Sequence, residues 1–209
     1  MREARFMGTV TAMAMHDMQN VLAIIRESAG LVGDLLEINK STPFKHRDAL
    51  ERAVGHITRH VERGKGILEA MGRLAHAPDD NQLDHSDLAA CCRAVVQLTE
   101  RLAHMKNAEV RLAGPDRGIP VGVGTLPAMT ALFLGLSHLF GLPGPDGRVV
   151  NVVALARDGA AVARLCLDGL ALEPGAVVGL DEALRGTGAR PAAAEGCLEL
   201  SFPLAGPRD

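Results

Sequence analysis

Residues 50–75 read LERAVGHITRHVERGKGILEAMGRLA, and in this stretch Leu50, Val54, Ile57, Val61, Gly64, Leu68, Met71 and Ala75 alternate at spacings of four and three. That is a sustained heptad seam, the pattern of a helix that packs lengthwise on another helix. A partner lies just upstream. Across residues 5–39 apolar side chains recur at Phe6, Val10, Met13, Val21, Ile24, Leu31, Leu35 and Ile38, with a flanking row at Met18, Leu22, Ile25, Val32 and Leu36. So wide a stripe at helical period predicts one long helix, roughly 50 Å at 1.5 Å per residue. Asn39-Lys40-Ser41-Thr42-Pro43 separates the two runs, with Ser41 or Thr42 as N-cap and Pro43 in the first turn that follows. The expectation is an antiparallel hairpin over residues 1–76. Two helices cannot enclose both stripes, so two chains are expected to combine as a homodimeric four-helix bundle.

Outward from the hairpin, composition changes near residue 77. Residues 1–76 hold one Pro and seven Gly, and residues 77–209 hold ten and sixteen. Residues 77–85, with Ala77-Pro78-Asp79-Asp80-Asn81, read as a linker. Residues 86–209 alternate in character. Ser86 or Asp87 caps a helix over about 87–106, and Glu109 to Leu112 reads as a strand. Thr125 caps an apolar helix over about 126–140, and Val149–Ala156 with Ala161–Leu167 reads as a hairpin around Asp158-Gly159. A short helix and a last strand, Leu198–Phe202, complete a sheet covered on one face by helices. The fold class expected is α+β: a long helical hairpin forming a dimeric four-helix bundle, followed by a smaller α/β sandwich domain.

The bulk properties narrow the function. Net charge is −3, which argues against a general nucleic-acid or anionic-membrane binder. There is no Trp or Tyr and only five Phe, which argues against recognition by aromatic stacking. The four cysteines, Cys91, Cys92, Cys166 and Cys197, show no CxxC spacing, so neither a zinc ribbon nor a disulfide framework is expected. No run of eighteen apolar residues occurs, and Met1-Arg2-Glu3 does not open a signal peptide. A soluble cytoplasmic protein is expected, without membrane or nucleic acid as partner.

His16 stands in Ala14-Met15-His16-Asp17-Met18-Gln19-Asn20-Val21-Leu22. On a helical wheel it falls in the stripe of Thr9, Ala12, Gln19, Ala23, Gly30, Asp34 and Glu37, opposite the main apolar face, and is expected to be exposed. Imidazole is a nucleophile near neutral pH. One ring nitrogen attacks phosphorus while the other donates to a carboxylate, here Asp17, which fixes the tautomer. The Asn20 amide orients a water or a phosphoryl oxygen. Phosphoryl transfer needs little beyond positioning and charge stabilisation, so a partner bringing its own metal and acceptor suits an exposed His. A lone exposed His on a helix is also, more commonly, a plain surface residue.

A resemblance raises the weight of the first reading. His16-Asp17-Met18-Gln19-Asn20-Val21-Leu22 resembles the phospho-acceptor box of sensor histidine kinases: His, an acid, two variable residues, Asn or Thr, a variable residue, Leu. The hairpin over 5–76 is similar to that family's dimerisation and phosphotransfer domain. The resemblance implies that His16 is phosphorylated, Asp17 is its acid-base neighbour and Asn20 serves phosphatase chemistry. Met15, Gln19 and Ala23 are the contacts expected for a partner, with Met15 exposed beside His16.

The second part departs from that family. Its ATP-binding domain needs an Asn-rich helix for Mg²⁺, an Asp-x-Gly-x-Gly turn for adenine and a Gly-rich lid. Here the matching helix reads Leu132-Phe133-Leu134-Gly135-Leu136-Ser137-His138-Leu139-Phe140, with Gly135 and Leu139 at the two Asn positions and no Asn anywhere in 125–141. Leu167-Asp168-Gly169-Leu170-Ala171-Leu172 keeps an Asp and loses glycines, and Gly186-Thr187-Gly188 is too near the last strand for a full lid. The domain resembles a degenerate kinase ATP-binding domain for which ATP is not expected. The whole is similar to dimeric histidine phosphotransferases. It implies phosphoryl transfer between response-regulator receiver domains, a homodimer, no cofactor of its own and Mg²⁺ on the receiver. A kinase with an atypical ATP site and a non-catalytic receiver-docking module are the alternatives. His56 and His60, four apart with no third ligand, read as part of a basic face with Arg52, Arg59 and Arg63, not as a metal site. Cys91 and Cys92 read as small packing residues.

Overall fold

The computed structural model describes residues 2–80, 85–114, 117–143, 146–157, 159–169 and 172–205; within them, the side chains of 2–10, 12, 13, 76–80 and 174 lie outside the description. Its contacts divide the chain into two compact units, Met1–Ala75 and His76–Asp209.

The first unit holds most of two long helices, α1 (Arg2–Ile38) and α2 (Arg47–Asp80). They run antiparallel. A methyl placed on Gly64 would lie 3.1 Å from Leu22 Cδ1, one on Gly72 3.9 Å from Met15 Cε, and one on Gly33 3.8 Å from Val54 Cγ1. Position therefore falls along α1 as it rises along α2. Met15, Leu22, Ala29 and Leu36 recur every seventh residue and form the α1 side of this seam; Met15 and Ala29 are buried, as are Val61 and Leu68 opposite. The row expected to be dominant faces outward instead. Val21, Ile24, Leu31, Leu35 and Ile38 are exposed, Ile24 at 64% and Ile38 at 78%. α1 thus turns Met15, Leu22, Ala29 and Leu36 to α2 and leaves both the wider row and Met18, Ile25 and Val32 of the flanking row exposed within one chain. A four-helix bundle is not seen in the single chain.

The turn between the helices is longer than the expected Ser41–Pro43 start. α2 begins at Arg47, whose side chain reaches back to carbonyls at the end of α1. Arg47 donates from Nη1 to Leu36 O at 2.5 Å and from Nη2 to Asn39 O at 2.6 Å. Leu36 O belongs to the last turn of α1, and Asn39 O, just beyond it, also accepts from Thr42 N at 2.9 Å; both lie where the helix dipole is negative and a cation is favoured. An Arg47→Ala substitution is expected to cost about 1–3 kcal/mol in urea unfolding, with Arg47→Lys recovering only part, since an ammonium lacks the fork that spans two carbonyls. At its other end α2 runs through Asp80, so the linker expected from 77 starts later; residues 81–84 lie outside the described residues.

The second unit is a mixed α+β layer. Asp87, not Ser86, caps α3 (Leu88–Met105): its Oδ1 accepts from Ala89 N at 3.0 Å and Ile119 N at 2.9 Å. Ser86–Asp87 (β1) also pairs with Pro120–Val121 (β3). Then come β2 (Ala108–Leu112), α4 (Thr125–Gly141), β4 (Arg148–Arg157), β5 (Ala160–Leu167), a 3-10 turn over Pro174–Val177, α5 (Leu180–Ala183), β6 (Arg190–Ala194) and β7 (Cys197–Pro203). The expected Thr125 cap is instead Thr125 as first helical residue, with Gly124 at the N-cap. The five-stranded sheet has the order β2-β4-β5-β7-β6, parallel between β2 and β4 and antiparallel elsewhere. α3 and α4 cover one face, burying Val150, Val152, Leu165, Leu198, Leu200 and Phe202.

The opposite sheet face carries polar side chains. Glu199, only 3% exposed, accepts from Arg157 Nη2 at 2.6 Å and pairs with Arg164 Nε at 3.2 Å, while Arg164 Nη2 reaches Glu195 at 2.7 Å. The long apolar stems of the arginines supply cover there.

Candidate functional site

α1 places His16 on its solvent side. The His16 side chain is 73% exposed and that of Asp17 85%. Asn20 lies one turn on, where residues i and i+4 share a face, and its Nδ2 is 3.4 Å from His16 Nδ1. Asp17 Oδ1 is 3.8 Å from the same nitrogen. Both polar neighbours therefore address Nδ1, and among the described residues Nε2 has no hydrogen-bond or ion-pair partner. A lone pair on Nε2 requires the proton on Nδ1. The Asp17 carboxylate can receive that hydrogen bond after a small rotation, and so can the Asn20 oxygen once its amide is turned over. With the amide turned over or Asp17 rotated onto Nδ1, the arrangement offers one accessible, nucleophilic nitrogen at Nε2.

Met15 does not fit the expectation. It is buried, with Cε directed at Gly72, because it belongs to the inner seven-residue seam and not to the polar stripe. It anchors the turn that carries His16 and offers no surface to a partner. Gln19 and Ala23 are exposed as expected. With Asn20 and Arg26 of α1, and Val61, Glu62, Lys65 and Glu69 of α2, they line a shallow groove of about 340 Å³. Arg26 pairs with Glu62 across the hairpin at 3.6 Å. The α2 contributors needed the register between the helices, which no single-helix pattern reveals. His56 and His60 are exposed, and among the described residues no cluster of three or more His, Cys, Asp or Glu is placed to hold a metal.

In the second unit, Gly135 and Leu139, the two positions compared with the kinase family's Asn sites, face the sheet. A methyl on Gly135 would lie 2.9 Å from Leu165 Cδ1 and 3.0 Å from Leu200 Cδ1, so this face of α4 is pressed on the sheet. Leu139, one turn on, is 1% exposed and belongs to the same core. Asp168 follows Leu167 on the opposite side of the strand, and its carboxylate accepts from Asn151 Nδ2 on the face away from the helices. Gly186-Thr187-Gly188 is a tight turn after α5: Thr187 Oγ1 donates to Leu184 O at 2.7 Å, and Gly188, at φ +76°, leaves no room for a side chain beside Val123. His138 on α4 donates from Nε2 to Ala176 O, tying the helix to the 3-10 turn. Leu170 lies outside the described residues.

Two cysteine expectations part ways. Cys91 and Cys92 are buried in α3, and burial, with Cys91 and Asp87 nearby, pushes the Cys92 thiol well up, so both serve as packing residues. Cys166 and Cys197, where no disulfide was expected, are bonded across β5 and β7. Their partnership is set by strand register, not by spacing in the sequence.

No protein-family model and no curated protein matches the sequence. Solved structures similar to this chain are histidine kinases. A full-length ShkA structure in complex with AMPPNP is 16% identical, with a TM-score of 0.45 over 94% of this chain and 46% of that one. This chain thus spans under half the length of that protein. An Acinetobacter baumannii histidine kinase, AdeS, is 9% identical, with a TM-score of 0.44 over 85% of this chain and 95% of that one. A histidine kinase from Burkholderia phymatum is 16% identical, with a TM-score of 0.42 over 99% and 100%. Among the described residues, no helix is long and apolar enough to cross a membrane.

Proposed function

We propose that the chain is a histidine phosphotransferase of a two-component phosphorelay, with His16 as the residue that carries the phosphoryl group. The observation that carries this reading is the exposed ring of His16, with Asp17 and Asn20 both at Nδ1 and, among the described residues, no partner at Nε2. Nε2 attacks the phosphorus of a receiver aspartyl phosphate. The N–P bond forms as the acyl O–P bond breaks, and the receiver carboxylate leaves with the electron pair. Asp17 offsets the positive charge that develops on the ring and takes the Nδ1 hydrogen bond. A second receiver aspartate reverses the step. The receiver supplies Mg²⁺ to its own phosphoryl oxygens, and this chain contributes the nucleophile and the groove beside it.

The second unit fits a domain without ATP chemistry. α4 contains no Asn, Asp168 is engaged by Asn151, and Gly135 and Leu139 are core residues. Purified protein incubated with labelled ATP is expected to gain no acid-labile phosphate. Incubated with a phosphorylated receiver, it is expected to gain that phosphate on residue 16. Label taken up from ATP alone would support the kinase alternative.

The reading includes a homodimer, supported by the uncovered row Val21, Ile24, Leu31, Leu35 and Ile38. So continuous an apolar face on a rigid helix is the surface a second hairpin buries in a four-helix bundle. Sedimentation is expected to give a dimer for the native chain and a monomer for Ile24→Asp with Leu31→Asp. A native chain that sediments as a monomer would refute this part of the reading.

A further inference from the structure

We propose that Cys166 and Cys197 form a reversible redox bridge, closed by a glutathione-type disulfide and opened by a dithiol, whose state sets the stability of the second unit. The two cysteines are neighbours across central strands. The ladder pairs Arg164 with Glu199 and Leu165 with Leu198, so the next rung places Cys166 opposite Cys197, with Cα atoms 4.5 Å apart. Both positions are held by strand pairing on either side: β4 flanks β5, and β6 flanks β7. That pairing does not depend on sulfur, so the reduced chain keeps its two thiols within bonding reach. Opening and closing therefore require no refolding, which reversibility demands.

The place on the sheet selects this pair from the four cysteines. Leu165 and Leu198 point into the helix-covered core, and alternation turns Cys166 and Cys197 to the other face with Arg164 and Glu199. Cys166 is partly exposed there and open to a small oxidant. Cys197 is buried, with Arg164 Nη2 at 3.7 Å from its Sγ. Cys91 and Cys92 are sealed inside α3, where the apolar surroundings keep Cys92 protonated and inert.

The exchange balances. The Cys166 thiolate attacks one sulfur of glutathione disulfide and releases one glutathione thiolate. The Cys197 thiolate then attacks the Cys166 sulfur and releases the second. Two electrons pass from the cysteine pair to the glutathione pair, and the protein thiols lose two protons. The closed bridge spans 31 residues of sequence, a loop that includes α5 and β6. Leu172 N also donates to Gly196 O at 2.9 Å beside the bridge, so the turn after Asp168 and the β6–β7 turn are fastened together. Closing a loop of this size restricts the unfolded chain, and oxidation is expected to raise the melting temperature of the second unit by roughly 10 °C.

The test equilibrates the full chain across glutathione redox ratios, traps thiols by alkylation under denaturing conditions and maps the peptides. The expected result is one reversible two-electron transition that removes two of the four alkylatable thiols, a crosslink joining residues 166 and 197, and a melting temperature that follows the oxidised fraction. In Cys166→Ser and in Cys197→Ser the transition and the melting shift vanish, while Cys91→Ser with Cys92→Ser retains both. Should a serine variant fail to fold, Cys166→Ala with Cys197→Ala serves in its place. Four free thiols at every ratio, a bridge that involves Cys91 or Cys92, or a bridge that leaves melting unchanged would overturn the proposal.

Discussion

His16→Ala is expected to abolish phosphoryl acceptance from a phosphorylated receiver, a fall of at least about 10³-fold in transfer rate, to the background of the receiver's own hydrolysis. The substitution deletes the only nucleophile the reaction uses and nothing that holds the fold. His16 is largely exposed, and among the described residues its hydrogen bond is to exposed Asn20. Stability is therefore expected to stay within about 0.5 kcal/mol of the native chain, so lost transfer cannot be charged to unfolding. Asp17→Asn is a graded control. It keeps the ring and removes the negative charge beside Nδ1, and is expected to slow transfer by roughly 10–100-fold, the scale of an orienting carboxylate on a histidine. Transfer is followed by acid-labile, base-stable phosphate on the chain, and receiver binding by calorimetry on the same variant. Undiminished transfer by His16→Ala would end the phosphotransfer reading. Binding retained by both chains, with no transfer by the native one, would select the docking module.

How much of this was legible in the sequence divides by the distance over which each feature is decided. The two long helices follow from local period, and so does the exposure of His16, because a polar stripe on a helix announces itself within a few turns. Which apolar row faces the partner helix was not legible. Phe6, Val10, Val21 and Ile24 look like the principal face, whereas the hairpin uses Met15, Leu22, Ala29 and Leu36. The choice rests on where Gly64 and Gly72 open room on α2, a pairing across dozens of residues, and Met15 was misplaced for that reason. In the second unit α3, β2, α4 and the β4–β5 hairpin stand close to their expected bounds. β6 was missed because Arg190-Pro191-Ala192-Ala193-Ala194 has weak strand propensity and a proline, which only an edge strand tolerates. The Cys166–Cys197 bond depends on the register of two strands that are adjacent in the sheet but not consecutive in the sequence, and the cysteine spacing holds no trace of it.

Gly135→Asn, which places on α4 an asparagine of the kind sensor histidine kinases use there, is expected to destabilise the second unit and not to create a nucleotide site. The first added atom already meets Leu165 Cδ1 at 2.9 Å and Leu200 Cδ1 at 3.0 Å, closer than carbons pack. Past that atom the amide would enter an apolar layer formed with Leu198 and find no hydrogen-bond partner, the costlier half of the change. Together the two effects are expected to cost about 3–5 kcal/mol, a large part of the 5–15 kcal/mol that an ordinary domain holds in reserve. Gly135→Ala separates the halves: it keeps the crowding against the ends of Leu165 and Leu200, drops the amide, gains about 1 kcal/mol of helix propensity, and is expected to cost clearly less than Gly135→Asn. Urea unfolding followed by circular dichroism reads both variants, and calorimetry with Mg²⁺ and ATP reads binding. Were Gly135→Asn to remain as stable as the native chain and gain ATP affinity, α4 would have to turn its Gly135 face away from the sheet. The sequence explains why it does not: Gly135 and Leu139 sit one turn apart with Leu132 and Leu136 beside them, and this small-then-large face is what lets α4 lie close on β5 and β7.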